Sequence, residues 1–139
     1  MHLLDSDTLS HLWGNHERVV DRLDKCEDTE IGTTSVTKSE ILRARCENLL
    51  KATSTADLLI AQQRFDRSEA LLAELMILPF DEAAAKELDR LKAIKKLKKI
   101  DHADLLIAAV ALANRAVLVT RNLRDFQQVP KLTVENWVD

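Results

Sequence analysis

The chain reads as an α/β sandwich, a central and mainly parallel sheet flanked by helices on both faces. Two observations predict it. Short, wholly apolar segments such as Leu3-Leu4 and Val117-Leu118-Val119 alternate with longer segments of helical spacing, and a strand apolar at successive positions must be covered on both sides. The 139 residues are 46% apolar and 31% charged, the balance of one ordinary globular domain, and a chain of this size buries roughly 70% of its unfolded surface without help from disulfides or a structural metal. No linker, low-complexity tract or internal repeat divides it, so residues 1–139 are read as a single domain.

The elements follow in order. Leu3-Leu4 form a very short buried strand whose carboxyl end is Asp5. Between Thr8 and Leu23 the residues Leu9, Leu12, Trp13, Val19, Val20 and Leu23 have helical spacing, and Gly14 breaks the run into two short helices. Glu30 to Thr34 is β-branched enough for a second strand. Thr37 to Leu50 then reads as helix, with Thr37 as its cap. Leu58 to Leu75 forms a longer helix, and Met76 to Phe80 a strand ended by Pro79. Glu82 to Lys98 is helical, with Leu88, Leu91, Ile94 and Leu97 on one stripe. Asp104 to Ala113 is an apolar helix, Val117 to Thr120 a fully buried strand, and Leu132 to Val134 a closing edge strand.

Composition excludes several classes. Twenty Lys and Arg against 23 Asp and Glu give a net charge of -3, so a strongly basic nucleic-acid binder is out and any basic surface is local. Cys26 and Cys46 lack the paired spacing of thiolate metal sites and read as free thiols in a reducing compartment. A charge at the fifth residue and a longest apolar run of Leu105 to Ala113 fit neither a signal peptide nor a membrane span. Two glycines, Gly14 and Gly32, make no phosphate loop.

In open α/β sheets, ligands bind beyond the carboxyl ends of the strands. Asp5 and Asp7 follow the first strand and share one side if the backbone stays extended. Thr120, Asn122 and Asp125 follow the penultimate strand, and Glu40 and Asp104 sit near the starts of helices. Carboxylates converging there would repel one another, and a divalent cation would relieve that cost. Hard oxygen donors without histidine at ligand spacing suit magnesium or manganese, and the chemistry implied is metal-assisted phosphoryl hydrolysis. Helix capping accounts equally well for Glu40, Asp104 and Asp125, because Thr37-x-x-Glu40, Asp101-x-x-Asp104 and Asn122-x-x-Asp125 share the spacing of a capping box, as does Ser54-x-x-Asp57. Asp5 alone has no capping role of that kind. Lys92, Lys95, Lys96, Lys98 and Lys99 either offset the acidic cluster and hold a polyanion or form a solvated helix face. With no tyrosine, and with Trp13 and Trp137 read as core or interface, there is no base-stacking platform.

Four segments in order resemble the motifs of PIN-domain ribonucleases. They are Leu3-Leu4-Asp5-Ser6-Asp7-Thr8-Leu9-Ser10, Ser39-Glu40-Ile41-Leu42-Arg43, Asp104-Leu105-Leu106-Ile107-Ala108-Ala109, and Leu118-Val119-Thr120-Arg121-Asn122-Leu123-Arg124-Asp125-Phe126. More narrowly, the chain resembles VapC-type toxins of type II toxin–antitoxin systems, nearly end to end. The resemblance implies a PIN-like three-layer sandwich and an endoribonuclease in which Asp5, Glu40, Asp104 and Asp125 hold Mg²⁺ or Mn²⁺. Asp5 and Asp104 would be central, and Asp7, Thr120 and Asn122 would lend hydrogen bonds. Arg43, Lys95, Lys99 and Arg121 would be substrate contacts, Arg43 meeting either Glu40 or a phosphate. A cognate antitoxin, a homodimer, contact with DNA only through the antitoxin, no membrane, and a prokaryotic cytoplasm are further implications. Asp7 stands where many relatives carry asparagine, and Asp101 where they commonly carry glycine. Two rivals remain. Asp5-Ser6-Asp7-Thr8 resembles the nucleophile motif of haloacid-dehalogenase-like phosphatases, with Asp5 phosphorylated, although the spacing is one residue short. A catalytically weak PIN-fold binding module is the other, with Asp101 as its sequence support.

Overall fold

The computed structural model describes residues 1–139. Five strands, β1 (His2–Leu4), β2 (Ile31–Thr34), β3 (Met76–Leu78), β4 (Val117–Val119) and β5 (Thr133–Glu135), form one sheet in the order β3-β2-β1-β4-β5. Every pairing is parallel. The helices are α1 (Ser6–Trp13), α2 (Glu17–Lys25), α3 (Ser35–Lys51), α4 (Thr55–Ala73), α5 (Glu82–Lys92), α6 (His102–Ala113) and α7 (Leu123–Phe126). This is the predicted sandwich, with a sheet that is parallel throughout. No helix is long and apolar enough to cross a membrane.

Strand periodicity builds both faces. Leu3 and Leu118 are in register, as are Leu4 and Val119, and all four are buried. Successive side chains point to opposite sides of a strand. Leu3 and Leu118 therefore join Ala84, Leu88 and Leu91 of α5 and Leu105 to Ala111 of α6 in the larger core. Leu4 and Val119 meet Leu9, Val19, Trp137 and Val138 on the other face.

Gly32 shows how tightly the sheet is drawn. It is in register with Met76, and a Cβ added there would lie 2.2 Å from the Met76 carbonyl oxygen. Neither backbone can yield without giving up the β2–β3 ladder. Gly32→Ala should cost about 2–3 kcal/mol, measured by urea unfolding; an unchanged midpoint would mean that β3 can slide.

Three boundaries depart from expectation. Thr34, not Thr37, caps α3: its Oγ1 accepts the Thr37 N–H at 3.0 Å, so the helix starts directly from the strand. The segment expected as one helix from Glu82 to Lys98 stops at Lys92 and is followed by a 3₁₀ turn, Lys95–Lys99. Leu88, Leu91, Ile94, Leu97 and Ile100 recur every third residue, a repeat that drifts around an α-helix but eclipses in a 3₁₀ helix, where Leu97 and Ile100 are buried. The short α7 was not foreseen; its Phe126 is buried in the larger core.

Candidate active site

The carboxyl edge of the sheet is pinned by backbone bonds and buried hydroxyls. The Asp5 N–H donates to the Val119 carbonyl at 3.0 Å, carrying the β1–β4 pairing one residue past the strand. Thr33 Oγ1 donates to the Leu4 carbonyl at 2.6 Å, and Thr8 Oγ1 to the Val119 carbonyl at 3.2 Å. All three residues bearing on these ends, Thr8, Thr33 and Thr120, are fully buried. Thr8 and Thr33 escaped the sequence reading because a buried threonine in a strand or helix start looks like any β-branched core residue.

Capping turns out to be distributed in the reverse of the expected way. Asp5, the acid given no capping role, is the N-cap of α1, its Oδ1 accepting the Thr8 N–H at 2.8 Å. Asp101 and Asn122 occupy N-cap positions but make no side-chain cap bond, and Thr37 lies inside α3. Of the four box-like pairs only Ser54 caps, accepting the Asp57 N–H at 3.1 Å. Glu40, Asp104 and Asp125 are thus left without capping duties. Asp7 lies in the first turn of α1 rather than on extended chain, exposed, with Oδ2 3.8 Å from Arg121 Nη1 and 3.6 Å from His11 Nδ1.

The acids act on one another. Asp104, half-buried in the first turn of α6, is pushed up to a pKa of about 6, first by burial and then by Asp101, Glu40, Asp125 and Asp5. Every charge acting on it is another carboxylate. Glu40, largely exposed as a residue but with its carboxyl partly desolvated, is raised by that desolvation and then by Asp101 and Asp5. Asp101, which stands where a glycine is common in the family the chain resembles, exerts the largest charge effect on Asp104. Asp125 Oδ2 accepts from Asn122 Nδ2 at 3.1 Å, and the Asn122 N–H donates to Thr120 Oγ1 at 3.0 Å. That chain of bonds anchors Asp125 to the buried end of β4.

This donor set fits a hard divalent cation: five carboxylates, with no imidazole, thiol, lysine or arginine among the groups that act on Asp104. The groups are coupled through space rather than gathered into a ligand set, and no three His, Cys, Asp or Glu side chains stand close enough to hold an ion as they are.

The expected substrate contacts scatter. Arg43 pairs through Nε with Glu47 at 3.0 Å rather than with Glu40. Arg121 is bound to both carboxylate oxygens of Asp139, at 3.3 and 3.4 Å. Lys95 and Lys99 are exposed on the 3₁₀ turn. A cleft of about 510 Å³ is lined by none of them but by Arg115 and Ala116 before β4, Thr133 at the start of β5, and Leu91 and Ile94. That is the amino end of the strands.

An all-parallel α/β sheet whose strand ends carry coupled, uncompensated carboxylates defines a class of acidic-edge α/β domains. Within it, the chain belongs to the PIN-domain family: the pattern of the PIN domain matches residues 3–132. Ribonuclease VapC2 of Rickettsia felis is 50% identical over 38 residues, 27% of this chain and 28% of that protein. Ribonuclease VapC2 of Haemophilus influenzae is 39% identical over 72 residues, 50% of this chain and 54% of that protein. The chain thus spans about half, or less, of the length of the curated relatives it matches. The structure of VapBC-1 from nontypeable Haemophilus influenzae superposes with a TM-score of 0.81 at 21% identity, covering 99% of this chain and 98% of that one. That of VapBC2 from Rickettsia felis bound to a DNA fragment from their promoter gives 0.77 at 24%, covering 98% of each. These two likenesses are of fold.

Proposed function

We propose that the protein is a metal-dependent endoribonuclease toxin of a type II toxin–antitoxin module. One observation carries this reading: four other carboxylates and no cation of the protein act on the half-buried Asp104, at the sheet edge where α/β folds place their ligands. Structural ion pairs neutralise charge, whereas this arrangement accumulates it.

Asp5 and Asp104 would hold Mg²⁺ or Mn²⁺, with Glu40 and Asp125 completing the set. Asp5 is held to α1 through Oδ1 by its cap bond, which leaves Oδ2 for the site. Thr120 and Asn122 fix the Asp125 carboxylate. When bound, such an ion lowers the pKa of an attacking water and stabilises charge on the phosphate and leaving oxygen. Burial of Asp104 against the apolar start of α6 keeps water from screening the site, which strengthens its hold on a cation once the carboxyl is ionised.

The relatives named VapC ribonucleases and the VapBC neighbours support a toxin kept in check by a cognate antitoxin. We take the chain to be a single PIN domain that dimerises, reaches DNA only through its antitoxin, and works in a prokaryotic cytoplasm on RNA.

Incubation of the purified protein with RNA should yield fragments with Mg²⁺ or Mn²⁺ and none with a chelator, and Asp5→Asn should abolish them. Intact RNA under both metals, with the protein folded by circular dichroism, would overturn the reading.

A further inference from the structure

Three depressions run together away from the acidic edge. The first, about 350 Å³, is lined by Ser6, Asp7, Ser10, Glu40, Ala44 and Arg45. The second, about 300 Å³, shares Ser10 and Arg45 with it and adds Trp13, Arg64, Arg67 and Ser68. The third, about 400 Å³, shares Arg45 and Arg64 with the second and continues to Lys51, Asp57 and Ile60. Arg45 lines all three, so they form one groove between α3 and α4 that starts beside Glu40.

Helical geometry makes the groove continuous. Glu40, Ala44, Arg45, Asn48 and Lys51 form a row along α3 that extends roughly 16 Å at 1.5 Å per residue. Asp57, Ile60, Arg64, Arg67 or Ser68, and Leu71 recur every three or four residues along α4 and face it.

The charge of this groove is unspent. Arg22, Arg43, Arg90 and Arg121 are all paired with carboxylates. Arg45, Arg64 and Arg67, like Arg18, Arg115 and Arg124 elsewhere, take part in no ion pair, but only the first three stand in one row. Arg45 Nε donates instead to the buried Ser68 Oγ at 3.2 Å, and Arg67 Nη2 to the Trp13 carbonyl at 3.3 Å, neutral partners that position a guanidinium without cancelling it. Trp13, half-buried, and Ile60, 48% exposed, offer apolar surface beside them.

We propose that this groove is the substrate path: it holds the phosphates of single-stranded RNA on Arg45, Arg64 and Arg67 as the strand leaves the acidic edge. The assignment rests on the nuclease reading above. Consecutive phosphates need cations in a line at the rim of a channel, with apolar surface for unstacked bases, and this row supplies both. The lining sets Arg45, Lys51, Arg64 and Arg67 against Asp7, Glu40 and Asp57, and the three arginines free of carboxylate partners are the groups that would meet a polyanion.

The test is the affinity of the full chain for a fluorescent, unstructured single-stranded RNA oligonucleotide, read by anisotropy in chelator across a range of salt, with cleavage measured separately in Mn²⁺. Arg45→Gln/Arg64→Gln/Arg67→Gln should weaken binding on the order of tenfold or more and lower the slope of log K against log salt by about 2, for three phosphates released. In cleavage the loss should appear in KM, with kcat retained. Lys86→Gln/Arg115→Gln/Lys131→Gln, which removes equal charge elsewhere, should bind as the parent does. Where loss of the Arg45–Ser68 bond lowers the melting temperature, Arg64→Gln/Arg67→Gln carries the same comparison with Arg45 intact. Unchanged RNA affinity and salt slope overturn the path, including the case in which the variant loses only affinity for an acidic partner protein. RNA binding that falls in the variant while the wild type cleaves nothing supports the path and overturns the nuclease reading instead.

Discussion

Asp104→Asn should lose RNA cleavage by at least about a hundredfold, the scale on which removing one preorganised charged group from an active site acts, while the metal-free protein becomes more stable at pH 8. Both effects have one source. The Asp104 carboxyl titrates near 6 in the fold against an ordinary 3.8. The folded state therefore binds more protons than the unfolded chain between those values, and stability falls as pH rises through that window. Above pH 6 the whole penalty is present. At 1.36 kcal/mol per unit it would approach 3 kcal/mol; because the carboxyl is only half-buried, solvent screening reduces the gain expected on neutralising it to about 1–2 kcal/mol, or roughly 3–6 °C in melting temperature. Thermal melts of wild type and variant at pH 4 and pH 8, in chelator, measure it. The two curves should converge at pH 4. A variant that melts lower than wild type at pH 8 would assign Asp104 a structural role instead.

Divalent metal should reverse that order. An ion that binds only the folded protein stabilises it by about 2.7 kcal/mol at a hundred times its dissociation constant, so saturating Mn²⁺ should raise the wild-type melting temperature by several degrees and leave Asp104→Asn nearly unmoved. The ion must compete with protons for the Asp104 carboxylate, so the shift should shrink as pH falls through about 6. Titration calorimetry of Mn²⁺ at pH 5 and pH 8 gives a second reading of the same competition. An equal shift in wild type and variant would place the ion elsewhere on the surface.

Much of this was written in the sequence. The apolar strands Leu3-Leu4 and Val117-Leu118-Val119 and the helices around them are fixed by burial on both faces, which leaves a strong local pattern. The acids of the site were legible as polar residues at strand ends. Their relations were not. Whether Asp5 or Asp101 caps a helix depends on backbone angles of one or two residues, and the spacing of a capping box is the same whether or not the bond is made. The groove was hidden for a different reason. Arg45, Arg64 and Arg67 are single cations in mixed helices, and only the packing of α3 against α4 puts them in a row, whereas five lysines crowded into one exposed segment stand out in the sequence alone.

The place of β1 has a kinetic consequence. This strand lies at the centre of the sheet, and its partner β4 is more than a hundred residues away along the chain. Non-local parallel pairing is slow, since the loop must close before any contact rewards it. Asp5 consequently comes under the same electrostatic influence as Asp104 and Asp125 only once α6 and β4 have been made and docked, and a growing chain that has not yet reached β4 carries no assembled acidic edge.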